Sequence, residues 1–436
     1  MELEREAVRR VRGKEEVERG GGLRMENEEF SRLGMRWVFL SLGSVLLAWS
    51  LLTVLRAGKT VFWKAAIVAA EFRHFLGIFA LVFFCFIVAH GFVVEGERRH
   101  LVFSGISALM TLGAGGLFFS PAVFATMIAQ RLPAKLEQAL GQKPSTRRVF
   151  DQQRMFLPFK GVEKSEVTTH VFAHAGTKDA LRLDLYRGAR EARRELYPEL
   201  GKGGGKPCVI LIHGGGWDSG DRTQLVKFNH WLVSVGYAVV AISYRLAPQH
   251  QWPAQREDTL EAIRWVKTHA EDYGIDANRL VLMGRSAGAQ IASAVGYAAD
   301  DPAIRGVIGL YGVYDMGFVW SISRTDDVLN SVNLMNQYLG GGPTTKNQAA
   351  YDSASAQGLV RGPDKTPPTL LMHGTIDTLC WVKHSQRLAD RLTKAEVPNV
   401  MVELPWAVHA FDFNLDGPGG QLTTYAVREF LAAVCR

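Results

Sequence analysis

Apolar residues along the 436-residue chain follow two different patterns. Between residues 37 and 130 they form long runs without a charged side chain, at Trp37–Leu55, Phe75–Val94 and Leu101–Gln130. At about 1.5 Å per residue, each run is long enough to cross roughly 30 Å of hydrocarbon as a helix. The pattern predicts two or three transmembrane helices, and therefore a multi-pass protein in contact with a bilayer. Which side of the membrane carries the C-terminal part stays open.

The third run is less regular than the first two. Glycines at 113, 115 and 116 and a proline at 121 interrupt it, so we expect a span to about Ser120 followed by an interfacial remainder. The stretch Val61–Ala70 is too short to cross and contains Lys64, which favours a connection at the interface.

After residue 160 the pattern changes to short elements. Glu166–His174 and Leu181–Arg187 alternate apolar and polar residues, as a half-buried antiparallel pair does. β-branched runs then predict strands at Cys208–Ile212, Ala238–Ser243, Leu280–Met283, Gly306–Leu310, Thr369–Met372 and Val400–Glu403. Helical periodicity predicts helices at Thr223–Val235, Ala254–Tyr273, Ala287–Ala299, Lys383–Ala395 and Gln421–Val434. This alternation predicts an α/β fold, a doubly wound and mainly parallel sheet.

Four segments follow from these patterns. Residues 1–36 hold nine basic and nine acidic side chains and predict a polar tail. Residues 37–130 form the membrane region, and residues 131–160, with three prolines and several basic side chains, predict a linker. Residues 161–436 are the predicted catalytic domain, with an exposed loop at 188–206.

Composition excludes several partners. The net charge of +7 comes from scattered basic residues, with no stripe pairing them to aromatic residues, so nucleic acid is not expected as a partner. The four cysteines lie far apart without a CxxC pair, which excludes a disulfide framework and a zinc knuckle. The sequence calls for no metal and no organic cofactor.

The candidate chemistry lies at strand ends. Gly284-Arg285-Ser286-Ala287-Gly288 follows one predicted strand and precedes a helix, which is the context of a G-x-S-x-G nucleophile turn. Upstream, His213-Gly214-Gly215-Gly216-Trp217 follows another strand, where glycine amides can bind an oxyanion. Asp377 and His409 follow later strands, which gives the order Ser, Asp, His expected for this kind of sheet. His373 and His384 are interpreted as structural.

These residues resemble the α/β-hydrolase esterases of the hormone-sensitive-lipase and small-esterase type. The resemblance runs from about Cys208 to Phe430 and also includes Ser243–Pro248, Asp258 and His409–Asp412. It implies that Ser286, Asp377 and His409 are the catalytic triad and that Gly214, Gly215 and Ala287 form the oxyanion hole. Two positions depart from the common pattern: Arg285 stands where many members carry Asp, and Ala410 where glycine is frequent.

Substrate recognition is less defined by the sequence. Trp217, Tyr244 and Trp320 are the candidate substrate-binding residues, with Trp217, Trp252 and Trp381 placed either at the mouth of the pocket or in the core. The segment Val313–Gln348 either covers the acyl pocket as a lid or packs on the sheet. The expected activity is hydrolysis of a small-molecule or lipid-like ester by a membrane-anchored enzyme. The alternatives are an amidase or deacetylase of the same fold, similar to kynurenine formamidase, and a non-catalytic binding module.

Overall fold

The computed structural model describes residues 34–94, 98–156, 162–188 and 205–436. Most of the predicted polar tail and of the predicted exposed loop at 188–206 lies outside these residues. The described chain forms two compact units. The first comprises residues up to Leu52 together with Phe72–Phe119, and the second comprises Thr53–Glu71 together with Ser120–Arg436.

Three long helices begin the described chain: α1 (Gly34–Leu51), α2 (Thr60–Val94) and α3 (Arg98–Leu140). By length and composition each contains a stretch that could cross a membrane, at Gly34–Leu51, Arg73–Gly91 and Val102–Leu140. The stretch Val61–Ala70, expected as an interfacial connection, is helical and belongs to the first part of α2, ahead of the candidate span Arg73–Gly91.

Helix α3 also runs further than expected. It continues through Pro121 and Pro133 to Leu140, where we predicted a linker from residue 131. Leu132 and Leu136 are buried in the core of the second unit, and the Lys135 ammonium donates a hydrogen bond to the Met401 carbonyl. Prolines and basic side chains in this stretch favoured a linker. Leu132 and Leu136, spaced four apart, instead form the apolar face of a helix.

The rest of the predicted linker packs on the second unit as well. Ser145 donates from its amide and its hydroxyl to the Glu429 carboxylate, at 2.8 and 2.6 Å. Arg154 forms an ion pair with Asp416 at 2.6 Å. One of the basic residues that suggested a solvated linker, Arg154, therefore has an acidic partner near the C-terminus, whereas Arg148 pairs locally with Asp151.

The second unit contains an eight-stranded sheet in the order β1-β2-β4-β3-β5-β6-β7-β8. β1 and β2 pair antiparallel, β2 and β4 pair antiparallel, and all other neighbours are parallel, so the predicted mainly parallel sheet is confirmed. The strands are β1 (Glu166–Ala173), β2 (Leu181–Arg187), β3 (Lys206–Ile212), β4 (Ala238–Ile242), β5 (Ile275–Arg285), β6 (Ile304–Leu310), β7 (Thr369–Gly374) and β8 (Asn399–Leu404).

The connecting helices are α4 (Gln152–Phe156), α5 (Val226–Ser234), α6 (Ala254–Thr268), α7 (Ala270–Tyr273), α8 (Ala287–Ala298), α9 (Met316–Ile322), α10 (Ser331–Leu339), α11 (Gln348–Ala354), α12 (Lys383–Lys394) and α13 (Pro418–Val434), with a 3₁₀ turn at Ala356–Leu359. The helix expected at Ala254–Tyr273 is divided between α6 and α7.

Helices cover both faces of the sheet. Along β3, Ile210 and Ile212 join the core beneath α6, α8 and α12, whereas Val209 and Leu211 join the core beneath α5, α13 and the end of α3. This alternation is the period of two that a strand imposes, and both of its faces are apolar because both are covered. The carboxyl ends of the parallel strands consequently meet at one edge, where the predicted catalytic residues lie.

Candidate active site

The predicted nucleophile lies in a sharp turn between β5 and α8. Ser286 has φ 53° and ψ −122°, a backbone conformation that residues with a side chain rarely adopt. A methyl group at Gly284 would overlap the Gly288 carbonyl, and one at Gly288 would overlap the Ile212 carbonyl. The two glycines are therefore required for the turn that holds the serine at the sheet edge.

Asp377 and His409 are in direct contact. The His409 Nδ1 atom lies 2.6 Å from Asp377 Oδ2, and the amides of Leu379 and Cys380 donate to Asp377 Oδ1 at 2.8 and 3.1 Å. Since a carboxylate only accepts, Nδ1 carries the proton of this bond and Nε2 is left as the basic nitrogen. The structure thus orients His409 as a base.

The buried Asp377 stays ionised. Burial alone would raise its pKa, but the positive potential and hydrogen bonds of His409 and His373 outweigh this effect, and the pKa lies well below its usual range. His373 Nε2 lies 2.9 Å from the Cys380 carbonyl and 3.4 Å from Asp377, so this nitrogen also carries a proton. His373 therefore supports the same carboxylate oxygen, Asp377 Oδ2, that His409 contacts.

Ser286 and His409 line one cavity of about 600 Å³. Most of its other walls are apolar, formed by Leu225, Val313, Val319, Ile322, Val328, Leu329, Leu334, Met335, Leu379 and Trp381. The Cys380 thiol interacts with the Ser286 hydroxyl, and burial raises the pKa of this thiol well above its ordinary value, so the thiol remains protonated. Among the described residues, no hydrogen bond joins Ser286 to His409 in this arrangement.

The amides beside Ser286 differ in availability. The Gly214 amide donates to the Gln224 side chain at 2.9 Å, so this predicted oxyanion donor already has a partner. Gly215 and the adjacent Gly216 line the cavity, as does Ala287, whose amide is the first of α8 and has no intrahelical acceptor. Gly216 is therefore a better candidate than Gly214 for an oxyanion-binding amide. This distinction depends on Gln224, ten positions after Gly214, which accepts the Gly214 hydrogen bond.

Backbone strain is concentrated at this cavity. Five residues other than glycine that line it have positive φ: Trp217 at 66°, Leu225 at 54°, Ser286 at 53°, Tyr311 at 42° and Ala410 at 64°. The position of Ala410, where glycine is frequent in the resembling family, is thus one that favours glycine. Such conformations cost about 1–3 kcal/mol each, and they persist at functional sites.

Two of the three predicted substrate-binding residues, Tyr244 and Trp320, do not line this cavity. Trp217 lines the cavity, but it is also buried, stacks on Tyr338 and donates to Gln290 at 2.9 Å. Tyr244 is buried against His213 and donates to its carbonyl at 3.2 Å, away from the cavity lining. Trp320 packs beside Gly342 instead of lining the cavity.

The segment Val313–Gln348 nevertheless supplies much of the cavity wall. On α9, Val319 and Ile322 face the cavity, three residues apart, and Trp320 lies on another face of the same helix. Trp381 lines the cavity, whereas Trp252 is buried and donates to Ser353. The face of α9 on which a residue lies decides whether its side chain reaches the cavity. Composition alone therefore did not show that Trp320 faces away from it.

A buried ion pair, which we did not predict, joins the two catalytic loops. Arg285 Nε lies 2.6 Å from Asp412 Oδ2, and the Tyr311 hydroxyl donates to Asp412 Oδ1 at 2.6 Å. The Tyr311 ring in turn lies 4.4 Å from the His409 ring, measured between centroids. Two charged residues in the sequence could have indicated this ion pair: Arg285, directly before Ser286, and Asp412, three residues after His409.

Two other histidines near the site are buried and neutral. Burial lowers the pKa of His213 to about 4, and burial with the nearby His373 lowers the pKa of His384 to about 3. His384 lines the cavity with its ring 5.0 Å from that of Phe318. Neither imidazole is charged at neutral pH. Their lowered pKa values therefore affect the free energy of unfolding only in acid.

We expect the free energy of unfolding to fall as pH drops from about 6.5 towards 4. The unfolded chain protonates both imidazoles over this interval and the folded chain does not, so the unfolded state gains protons. Each histidine contributes up to about 1.4 kcal/mol per pH unit. Urea unfolding in detergent at pH 7 and pH 5 measures the slope, and His384→Leu should reduce it. Equal stability at the two pH values would refute this prediction.

Metal chemistry has no evident site in the described parts of the chain. Across residues 34–94, 98–156, 162–188 and 205–436, no group of three or more His, Cys, Asp or Glu side chains is arranged to hold a metal ion. The arrangement at Ser286 matches instead the requirements of nucleophilic acyl transfer, which are a hydroxyl, an oriented base and amide donors.

Comparison with known proteins agrees with this geometry. The family model described as BD-FAE matches residues 195–392. A probable carboxylic ester hydrolase, LipM from Mycobacterium tuberculosis, is 31% identical over 252 residues, covering 54% of this chain and 56% of the relative. Esterase LipC from the same organism is 29% identical over 244 residues, covering 53% and 59%. The chain thus spans less than two thirds of the length of these relatives.

Solved structures show the same architecture. Esterase B from Lactobacillus rhamnosis has a TM-score of 0.53 at 20% identity, covering 72% of this chain and 95% of that one. A thermostable esterase from Pseudomonas putida has a TM-score of 0.50 at 20% identity, covering 72% and 92%. Together with the sheet order, these similarities give the chain the α/β-hydrolase fold.

Proposed function

We propose that this protein is a membrane-anchored serine hydrolase that cleaves carboxylic esters through an acyl-enzyme. Ser286 is the nucleophile, His409 the general base and Asp377 the carboxylate that orients the base. The observation that carries the proposal is the 2.6 Å contact between His409 Nδ1 and Asp377, on the wall of the cavity that Ser286 also lines. The named relatives, all ester hydrolases, support the same chemistry.

In the first half-reaction, the Ser286 hydroxyl turns from the Cys380 thiol towards His409, a change of one side-chain rotamer. Oγ bonds to the ester carbonyl carbon while His409 Nε2 takes its proton. The carbonyl oxygen becomes negative and is bound by the amides of Gly215, Gly216 and Ala287, each worth about 3 kcal/mol of barrier. Collapse of this intermediate breaks the bond to the alcohol, which leaves with the proton from His409.

The second half-reaction repeats these steps with water. His409 takes a proton from a water molecule as the water oxygen bonds to the acyl carbon. The oxyanion forms at the same amides, and its collapse releases the carboxylic acid and returns the proton to Ser286. Asp377 remains ionised throughout, in keeping with its lowered pKa, and stabilises the transient imidazolium.

The cavity supports an acyl group of some length. Its volume of about 600 Å³ lies within the usual range for small-molecule sites, and its wall from Val313 to Met335 is mainly apolar. Burial of an acyl chain against this wall is favourable by about 25 cal/mol per Å² of apolar surface. We therefore propose esters with an apolar acyl group as substrates, whether small molecules or lipid-like.

Anchoring in a membrane is the second part of the proposal. α1, α2 and α3 each contain a stretch of 18 or more residues that is long and apolar enough to cross a bilayer. Large apolar side chains are exposed along these stretches, including Val45, Val82 and Leu109. Exposure of this kind is unfavourable in water and is expected in contact with lipid.

The experiment that tests the chemistry compares a matched ester and amide. We expect p-nitrophenyl butyrate to be hydrolysed at least 100-fold faster than butyryl p-nitroanilide, because p-nitrophenolate leaves without a proton whereas the anilide nitrogen must take one from His409 as its bond to the acyl carbon breaks. A fluorophosphonate probe should label one peptide, the one containing Ser286. Faster cleavage of the anilide would favour the amidase alternative, and absence of both labelling and turnover would favour a binding module.

A further inference from the structure

The α1–α2 segment, Thr53–Glu71, consists of the residues that follow α1 and the first turns of α2, and it belongs to the second unit, which contains the candidate active site. Thr53–Glu71 is grouped with Ser120–Arg436, and Thr53 and Ala57 are buried. Within it, Arg56 Nη2 donates to the Thr375 carbonyl at 2.9 Å, and its guanidinium lies 5.8 Å from the centroid of the Trp381 ring. Thr375 and Trp381 flank Asp377 on the loop that follows β7. The segment is therefore attached to the loop that carries the catalytic carboxylate.

This contact bears on the number of membrane crossings. If α1 and α2 alone crossed the bilayer, the segment joining them would be on the opposite side from the catalytic unit, and Arg56 could not reach Thr375. With α3 as a third crossing, the α1–α2 segment and the chain after α3 emerge on the same side. The contact of Arg56 with Thr375 thus favours three crossings over two.

The same segment presents apolar side chains to the surroundings. Leu55, Val61 and Phe62 are 56%, 76% and 55% exposed, and each is within six residues of Arg56. Basic residues Lys59 and Lys64 accompany them, which suits the phosphates of lipid head groups. The segment also continues directly into the apolar stretches of α1 and α2, so a bilayer surface is the occupant that fits it.

The mouth of the cavity has the same character. Ile322 and Leu329 both line the cavity and are each 37% exposed, so they lie at its opening. Trp381, which Arg56 covers, is a further lining residue. The opening is thus bordered by the apolar Ile322 and Leu329, by the polar Asp218, Ser219 and Arg324, which are also exposed, and by the segment Thr53–Glu71.

We propose that the α1–α2 segment, Thr53–Glu71, docks on the bilayer surface beside the cavity and that the substrate is an amphipathic ester taken from the bilayer. This inference rests on the proposed function and specifies its substrate class. The acyl chain passes from lipid to the apolar cavity wall without crossing water, while the ester carbonyl reaches Ser286. A short, water-soluble ester reaches the same cavity without this surface.

The test uses the full-length protein in phosphatidylcholine vesicles after a carbonate wash, with p-nitrophenyl palmitate in the vesicles and p-nitrophenyl acetate in the buffer. The variant Leu55→Asp/Phe62→Asp places charges on the docking segment. We expect it to lower the ratio of palmitate to acetate hydrolysis at least 10-fold. The matched control is Val167→Asp/Val171→Asp on β1, where both valines are exposed on a strand outside this segment; its ratio should stay within 2-fold of wild type.

Several outcomes would overturn the proposal. An unchanged ratio in the docking variant, an equal fall in the β1 control, or release of the protein by carbonate would each do so. A changed oligomeric state with an unchanged ratio would assign the segment to contact with a second copy. If wild type cleaves acetate but not palmitate, the substrate class is wrong and the hydrolase proposal stands; if it cleaves neither and resists fluorophosphonate, both fail.

A second measurement tests the three crossings directly. In a Cys85→Ser background, which removes the exposed cysteine, Lys59→Cys should react with a membrane-impermeant maleimide from the same side as a tag placed after Arg436. The other three cysteines are buried. Labelling from the opposite side would exclude the placement of the α1–α2 segment beside the cavity.

Discussion

Replacing Ser286 with alanine is expected to lower kcat/KM for ester substrates by about 10⁴-fold or more. The substitution removes the atom that bonds to the acyl carbon, and only binding and the oxyanion amides remain to accelerate hydrolysis by water. The fold should persist, because the small Cβ group is kept at the strained position between β5 and α8. Fluorophosphonate labelling and turnover measure the effect, and circular dichroism follows the fold.

The same helix offers a matched control. Ser293 is buried on α8 and donates to the Ala289 carbonyl at 2.8 Å, without lining the cavity. Ser293→Ala removes an equivalent hydroxyl, and we expect turnover within about 3-fold of wild type since one buried hydrogen bond contributes about 1 kcal/mol to stability. Labelling that survives in Ser286→Ala, or that disappears in Ser293→Ala, would mean that a different serine is the nucleophile.

Breaking the buried pair of Arg285 and Asp412 should have the second largest effect. Arg285→Met leaves the Asp412 carboxylate buried without its charged partner, which costs about 3–5 kcal/mol. Activity should fall as well, because Asp412 holds the Tyr311 hydroxyl and the Tyr311 ring contacts His409. We expect kcat to fall more than KM changes, since the acyl wall is untouched. Urea unfolding and steady-state kinetics measure the two effects.

Two further variants separate the loss of stability caused by an unpaired buried charge from the loss of activity caused by removing the acceptor of the Tyr311 hydroxyl. Arg285→Met combined with Asp412→Leu removes both charges, so much of the lost stability should return while kcat stays low, because Tyr311 has lost its acceptor. The exposed pair of Arg264 and Glu261 on α6 is the control, and Arg264→Met should cost less than about 1 kcal/mol. Full recovery of kcat in the double variant would show that the pair does not position His409.

The sequence predicted the sheet, and pointed to the candidate catalytic residues at its edge, for one physical reason. Strands in a parallel sheet are apolar on both faces, so their ends are marked by the first polar or glycine residues, and catalytic side chains occupy those ends. His213 after β3, Ser286 after β5 and Asp377 after β7 were recognisable in this way. The pairing of strands then brings residues that are far apart in the chain to one edge.

What the sequence did not reveal depends on distant contacts. The partner of Arg285 lies 127 residues away, and nothing in the local pattern of either residue identifies the other. The Gly214 amide looked equivalent to its neighbours until the Gln224 side chain was seen to accept from it. Tyr244 and Trp320 do not line the cavity, because tertiary packing and not residue type sets the direction of an aromatic ring.

The continuation of α3 into the hydrophobic core sets where the enzyme could be separated from its anchor. Leu132 and Leu136 fill the sheet face beneath α13, together with Phe150 further along the chain. A polypeptide starting at residue 161 would lack all three, and the face they cover would be open to water and prone to aggregate. One starting near Ser120 would keep them, so under the proposed anchoring the shortest intact second unit retains half of a helix whose other half lies in lipid.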